Sequence, residues 1–506
     1  MDRPDPDPAV LPHDGREHRL HPLSWLFVLI AQLKQFIVPL LVLLFAGRGD
    51  RNDLWGLAAM GALVATSLAQ YFTYRYQLGR DAITIRSGWL HRSRREIPFA
   101  RIHNVSLQQS LLHRLVGVAE VRLESAGGVK PEAQMRVLRM DQALALEALV
   151  RGRGQADGDA VASTEAAPPL LTLSTAELVR LGLISNRGML VVAAAFGVLA
   201  QAGGDVFEVV VERWGRLAFG WLTRTIGAHA HDSPLAIGLA TVTLLVAALV
   251  LVRLLSMALA ILQYHGFALR EDDGRILVER GLLARSRASA KRRRIQAWSL
   301  REGVLHRWFD RRSLRVDTAS GQRGREPGVH ALKDIAPIAT PARCDALLAH
   351  FLPDMGWGNL DWQPLHRGAW VRIAIPGLLF VLLATALLAL RFGAWGALGL
   401  LAVPLQLWRA RRIADACGWA CNGRLVAWRS GWLAKTWNVA EIGKLQAVRL
   451  SRSPLDRRMG TASLLLDTAG ATPFGPPLHL RHLPHAAAEA LSARLVTQLA
   501  RRRLQW

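Results

Sequence analysis

The chain has 506 residues, enough for three or four domains, and is 51% hydrophobic while carrying a formal net charge of +24. Three cysteines, Cys344, Cys417 and Cys421, exclude a disulfide scaffold. With no RRM, KH, zinc-finger or helix-turn-helix pattern, the charge points away from nucleic acid and toward a membrane, whose cytoplasmic face collects Lys and Arg.

Residues 1–23 form a polar tail. Its first 19 residues lack a basic region followed by a cleavage site, so the first apolar stretch is expected to stay in place as a span. Six stretches approach bilayer length, about 17 to 25 residues, and pair into three hairpins: 24–46 with 54–74, 188–204 with 235–252, and 373–390 with 392–408. In domain terms these give hairpin 1 (24–76), a first soluble module (77–150), a flexible Gly/Ala/Asp/Pro-rich linker (151–169) and hairpin 2 with an interfacial helix (170–264). A second module (265–353), hairpin 3 (354–412) and a third module (413–506) complete the chain. Ser174-Thr-Ala-Glu177 is a capping box that opens the interfacial helix.

The three modules repeat one pattern. Arg86-Ser-Gly-Trp-Leu90, Glu279-Arg-Gly-Leu-Leu283 and Arg429-Ser-Gly-Trp-Leu433 are each followed by a basic residue 13 positions after the glycine (Arg101, Arg294, Lys444). A leucine lies 11 positions beyond that residue (Leu112, Leu305, Leu455), and a Ser or Thr 24 beyond it (Ser125, Thr318, Thr468). Spacing held this tightly marks one unit used three times. Each module opens with strand signals. Asp273-Gly274 and Asn422-Gly423 are hairpin turns, and Ala119, Val121 and Leu123 alternate with Glu120, Arg122 and Glu124 along a half-buried strand. Each ends in a strand (135–140, 328–332, 478–483) and a helix (141–150, 341–352, 485–503), the last with Ala488, Leu491, Leu495, Val496 and Leu499 on one stripe. The fold expected is an α+β membrane protein: six transmembrane helices in three hairpins, alternating with three antiparallel β-barrel domains, each closed by a C-terminal helix. Loops between paired spans hold few Lys and Arg, so both termini and all three modules are expected in the cytoplasm.

The stretches Ile97-Pro-Phe-Ala-Arg-Ile-His-Asn-Val105, Leu112-His-Arg-Leu-Val-Gly117 and Ser125-Ala-Gly127 resemble the bacterial pleckstrin-homology-like (bPH2) domain, and the three-copy, six-span layout resembles the YdbT-type membrane proteins. Copy two departs, with Lys291-Arg-Arg-Arg-Ile295 in place of copy one's run and Trp308-Phe-Asp310 where the others carry a small residue. The resemblance implies a PH-like fold, a place in the bacterial inner membrane, a role at the cell envelope and a smaller one-domain PH-like membrane relative as partner. It implies no defined reaction.

The sequence holds no Walker A, G-x-G-x-x-G, H-E-x-x-H or G-x-S-x-G motif, so neither an enzyme nor a cofactor is expected. His229-Ala-His231-Asp232 in an inter-span loop reads as solvated polar residues, and no metal site is assigned. Two basic runs carry the binding expectation: Arg92, Arg94, Arg95 and Arg101 in copy one, and Lys291, Arg292, Arg293 and Arg294 in copy two. Each contributes about 1 kcal/mol toward an anionic leaflet; a solvated face that merely enforces orientation is the other reading. Lys34 stands near the middle of the first span, where a cation costs about 2.5 to 3.5 kcal/mol and normally meets a partner or water; snorkelling from an oblique helix is the alternative. The expected function is a non-enzymatic envelope protein that binds anionic lipid or a partner, in envelope maintenance or stress resistance. The alternative is a component of a membrane transport or export complex.

Overall fold

In a computed structural model, the structure describes residues 17–19, 21–27, 29–30, most of 61–125, 133–153, 168–201, a few positions between 212 and 220, 234–318, 332–353, 356–468 and 478–501. Most of hairpin 1, with Lys34, and the segment containing His229, His231 and Asp232 lie outside the described residues. The chain divides into two compact units: residues 1–123, 132–268 and 279–287, and residues 124–131, 269–278 and 288–506.

In the first unit, strands β1 (Glu17–Arg19), β2 (Arg75–Leu78), β3 (Ala82–Ser87) and β4 (Ser93–Pro98) form an antiparallel sheet in that order. Strand β5 (Ile102–Gln109), helix α1 (Leu111–Val116), strands β6 (Val118–Ser125) and β7 (Ala133–Arg139), and helix α2 (Met140–Arg153) follow. Alternation along these strands sends Ile83, Ile85, Val105, Leu107, Val121 and Leu123 into one core, and α2 closes it with Ala143 and Leu146. After the short strand β8 (Leu171–Thr172), Ser174 caps α3 (Thr175–Ile184) by accepting from the Glu177 amide, as its capping box predicts. Helix α4 (Arg187–Gln201) departs from α3 at a 52° bend, and α5 (Pro234–Tyr264) packs along both. A Cβ at Gly182 would fall 2.3 Å from the Met257 Cα, so the backbones of α3 and α5 are in direct contact.

Strands β9 (Ala268–Asp272), β10 (Arg275–Arg280) and β11 (Arg285–Lys291) open the second copy. Their turn has Asp273 and Gly274 at φ 44° and 65°, the left-handed pair of a tight hairpin. Within the second unit, β12 (Ile295–Glu302), α6 (Val304–Trp308), β13 (Arg312–Thr318), β14 (Asp334–Ala339) and α7 (Pro341–Phe351) complete that copy, with Trp298 stacked on Phe351 at 5.3 Å. Strand β15 (Gln363–Pro364) leads to α8 (Ala369–Phe392), a 3-10 segment Gly393–Leu401 and α9 (Ala402–Ala416). The third copy is β16 (Gly418–Cys421), β17 (Leu425–Ser430), β18 (Lys435–Glu441), β19 (Leu445–Ser451), α10 (Pro454–Met459), β20 (Thr461–Thr468), β21 (Leu478–Pro484) and α11 (His485–Ala500).

Two helical segments among the described residues are long and apolar enough to cross a membrane, each with mean hydropathy 2.6: Thr241–Tyr264 and the 48-residue Ala369–Ala416. The second folds back on itself at Gly393, and residues 396, 399 and 406 return against 389, 385 and 377 as a hairpin. The bent α3–α4 pair makes a third candidate.

Separate barrels are not what the second unit contains. One seven-stranded sheet runs β14-β13-β12-β18-β17-β16-β15, so the second sheet of copy two and the first sheet of copy three are continuous. Their seam pairs β12 with β18 antiparallel, from Ala297 opposite Ala440 to Glu302 opposite Lys435, and Ser299 donates to the Asn438 side-chain oxygen at 2.8 Å. Strands β19-β20-β21 form the second sheet of copy three, packed by α11 through Ala488, Leu491 and Leu495.

A cationic cavity beside the third hairpin

Strand β12 ends in Glu302, whereas β19 ends in Ser451 and the chain continues Arg452-Ser453-Pro454-Leu455-Asp456. Ser453 caps α10 in a full capping box with Asp456. The box engages the Asp456 carboxylate fully. Asp456 accepts from the Ser453 amide at 2.9 Å, the Ser453 hydroxyl at 2.6 Å and Thr461 at 2.8 Å, and faces Arg372 at 3.4 Å. Burial pushes its carboxyl upward, but these hydrogen bonds and Arg372 outweigh that and hold it below the usual carboxylate range.

Around it lies a cavity of about 1160 Å³, wholly within the second unit. Its polar wall carries Arg301 from β12, Arg372 from α8, Arg452 beside α10, and His479, Arg481 and His482 from β21, with Ser299, Asn438 and Thr436 from the seam. Its apolar wall carries Leu365, Ile373, Ile375, Pro376, Ile413 and Leu455, the end of the cavity nearest the candidate spans. Four guanidinium groups therefore line a space with one internally satisfied carboxylate. The buried Nε atoms of Arg301, Arg372 and Arg452 and the Nδ1 of His482 have no hydrogen-bond partner among the described residues. Burial, with Arg315 adding repulsion, pulls the Arg301 pKa down against the pull of Asp317 and Asp334. Burial also lowers the two histidines, helped by Arg481 beside His479 and by Arg372 beside His482. His482 sits at φ 59°, a left-handed conformation uncommon outside glycine that tends to persist where surrounding structure enforces it. Unsatisfied buried donors are costly, and a mixed cationic and apolar cleft suits an amphiphile with an anionic head.

The basic runs read from sequence are placed differently. Arg92 precedes β4, and Arg94 and Arg95 lie on it; all three are exposed, while Arg101 lies outside the described residues. Lys291 ends β11, and Arg292–Arg294 form a 3-10 turn before β12. By repeat spacing the two runs occupy opposite ends of equivalent strands, because Arg92 and Arg94 match Arg285 and Arg287. Arg287 is held by Glu279 at 3.2 Å and Glu147 at 3.7 Å, and Arg292 by Glu271 at 3.4 Å. Burial, then Arg275, Arg293 and Arg294, lower the Lys291 pKa against the pull of Asp273. The cavity residues were missed because they are scattered from 299 to 482. The available signal was the polar side of Leu478-His-Leu-Arg-His-Leu483, whose apolar side alone suggested a strand.

The sequence profile of the bacterial PH domain (bPH_2) matches residues 27–154, 225–342 and 371–502. The chain belongs to the bacterial PH domain family. It carries three repeats of the domain, and is a distant homologue of the UPF0699 transmembrane protein YdbT of Bacillus subtilis (strain 168), 21% identical over 456 residues, 87% of this chain and 90% of the relative. No solved structure matches it. The bPH_2 copies and the candidate membrane helices together make it a membrane protein of this family.

Proposed function

We propose that this bPH_2 protein is a non-enzymatic, polytopic inner-membrane protein whose modules face the cytoplasm and bind anionic lipid headgroups, in cell-envelope maintenance or stress resistance. The observation that carries the reading is the cavity's set of four arginines around a single internally bonded carboxylate, backed by apolar side chains from α8 and α9. Arg372 and Arg452 would take the headgroup phosphate as bidentate donors, while Ile373, Ile375 and Ile413 lie along the acyl chains. The exposed Arg92, Arg94 and Arg95 would add sequence-independent attraction to an acidic leaflet, screened by salt. Six spans in three hairpins with both termini inside is the arrangement that the distribution of Lys and Arg supports.

The test uses the full chain in nanodiscs of phosphatidylcholine with graded phosphatidylglycerol, with bound lipid read by native mass spectrometry. Retention of phosphatidylglycerol over phosphatidylcholine is expected. Arg452→Gln should lower that retention about tenfold, since a hydrogen bond to a charged group contributes about 1.5–3 kcal/mol. Equal retention of the two lipids by the unaltered chain would refute the reading.

A further inference from the structure

The joints between copies leave apolar side chains on the outside. In the second unit, Arg307 of α6 donates to the carbonyls of Trp432 and Leu433, the latter at 2.9 Å, in the loop after Gly431. The Trp432 ring meets the Trp408 ring of α9 edge-on, 4.9 Å between centroids, and Arg429 Nε donates to the Ala416 carbonyl at 3.0 Å. The loop is thereby fixed to the end of α9. What the assembly presents is apolar: Trp308 is 81% exposed and Leu433 49%, with Val304 and Trp408 exposed beside them. Helix α9 marks the level at which this patch sits. Leu405-Gln-Leu-Trp408 is followed by Arg409, Arg411 and Arg412, all exposed. Arg412 lies over the Trp408 ring at 5.7 Å, and Arg411 over Trp370, near the start of α8, at 4.5 Å. Tryptophan with cations just beyond it is the composition of the layer where a span leaves hydrocarbon.

The first unit repeats the arrangement at the end of α5. Gly281 donates to the His265 carbonyl at 2.8 Å and Leu282 to the Leu262 carbonyl at 3.0 Å, fixing the loop after Gly281 to that helix. Arg114 of α1 donates to the Leu282 carbonyl at 3.1 Å. Leu111, Leu112, Leu115, Leu282 and Leu283 are all exposed, Leu115 by 83%. In both joints a guanidinium supplies the donor for loop carbonyls that lie among exposed apolar side chains. A carbonyl facing bulk water needs no such donor, whereas one in a layer poor in water does.

We propose that α6 and the loop after Gly431 insert into the interfacial layer of the bilayer that α8 and α9 cross, placing Val304, Trp308 and Leu433 at the boundary between headgroups and acyl chains. Exposed apolar clusters mark contacts with a partner or a membrane. The occupant here is lipid, because the patch is continuous, through Trp432 and Trp408, with the apolar surface of a candidate span. Trp308 and Leu433 then act as a second anchor that fixes how the sheet of the second unit meets the membrane. This contact goes beyond the binding of anionic headgroups. It rests on apolar burial, needs no acidic lipid, and survives the salt that screens arginine from a charged leaflet.

A benzophenone-bearing residue in place of Trp308, in the full chain reconstituted into nanodiscs of phosphatidylcholine alone, tests this, with the photo-adducts identified by mass spectrometry. The same residue in place of Leu383, exposed on α8 within the candidate span, is the control, since it must crosslink to lipid. A lipid adduct at Trp308 is expected, with a yield within severalfold of the control. Raising the salt from about 0.1 M to about 1 M, which shortens the screening length from about 10 Å to about 3 Å, should leave that yield unchanged. No lipid adduct at Trp308 beside an intact control, an adduct to a second copy of the chain, or a yield that collapses at high salt would each overturn the proposal. Retention of phosphatidylglycerol over phosphatidylcholine is a separate readout, so failure here leaves the headgroup reading standing, and the reverse also holds.

Discussion

The three repeat glycines show how one atom fixes a motif. Gly88, Gly281 and Gly431 all have positive φ, at 102°, 112° and 87°, and a Cβ on Gly431 would lie 1.9 Å from the Ala434 carbonyl oxygen. Gly431→Ala is expected to cost at least about 1–3 kcal/mol, from backbone strain before any clash, seen as a lower denaturation midpoint in detergent. Asp310 makes the complementary case. It holds at φ 49° the helix-ending position occupied by Gly117 and Gly460, so Asp310→Gly should be neutral or stabilising by up to about 1 kcal/mol. The two cavity histidines set a pH dependence. Burial first, then Arg481 or Arg372, depress them, so they are neutral near pH 7 and charge only as pH falls below the unperturbed value of about 6.5. A depressed histidine makes acid favour the unfolded chain, so without lipid stability should decline below about pH 6.5. Phosphatidylglycerol keeps its single phosphodiester charge over this window, so its retention should rise as the imidazoles charge. Retention that fails to rise at any acid pH at which the chain stays folded would remove the histidines from the site.

Among the elements, the β12–β18 seam carries the most consequence. Asn438 and Ser299 are both buried and bond each other across it. Asn438→Ala strands the Ser299 hydroxyl and should cost about 1–3 kcal/mol, while adding Ser299→Ala should recover part of that loss; equilibrium unfolding of the two variants reads the difference. Legibility at this scale depended on how local each signal was. The closing helices were readable because α2, α7 and α11 span several turns; expected at 141–150, 341–352 and 485–503, they run Met140–Arg153, Pro341–Phe351 and His485–Ala500. Helices α1, α6 and α10 went unread because five or six residues give no period, although Ser110 and Ser453 cap two of them. The seam itself could not be read, since edge strands carry no mark of which neighbour they will take.

For the whole molecule, the threefold repeat followed from spacing, because positions that hold it, such as Gly281 and Gly431, obey backbone constraints that disfavour any side chain, while the family followed from the resemblance of the stretches 97–105, 112–117 and 125–127. The cavity did not follow, because Arg301, Arg372, Arg452 and Arg481 converge only once two sheets and a hairpin have assembled. The continuous sheet also separates what is inherited from what folds. The profile matches run from membrane stretch into the module that follows, the second taking only the later stretch of its hairpin, whereas the seven-stranded sheet takes the latter half of one module and the opening half of the next. A chain stopped after residue 353 would keep a whole gene-level segment yet leave β12 half dressed, and limited proteolysis should find 295–318 newly vulnerable. Removing the third copy would therefore also strip β15 to β18 from the sheet that completes the second.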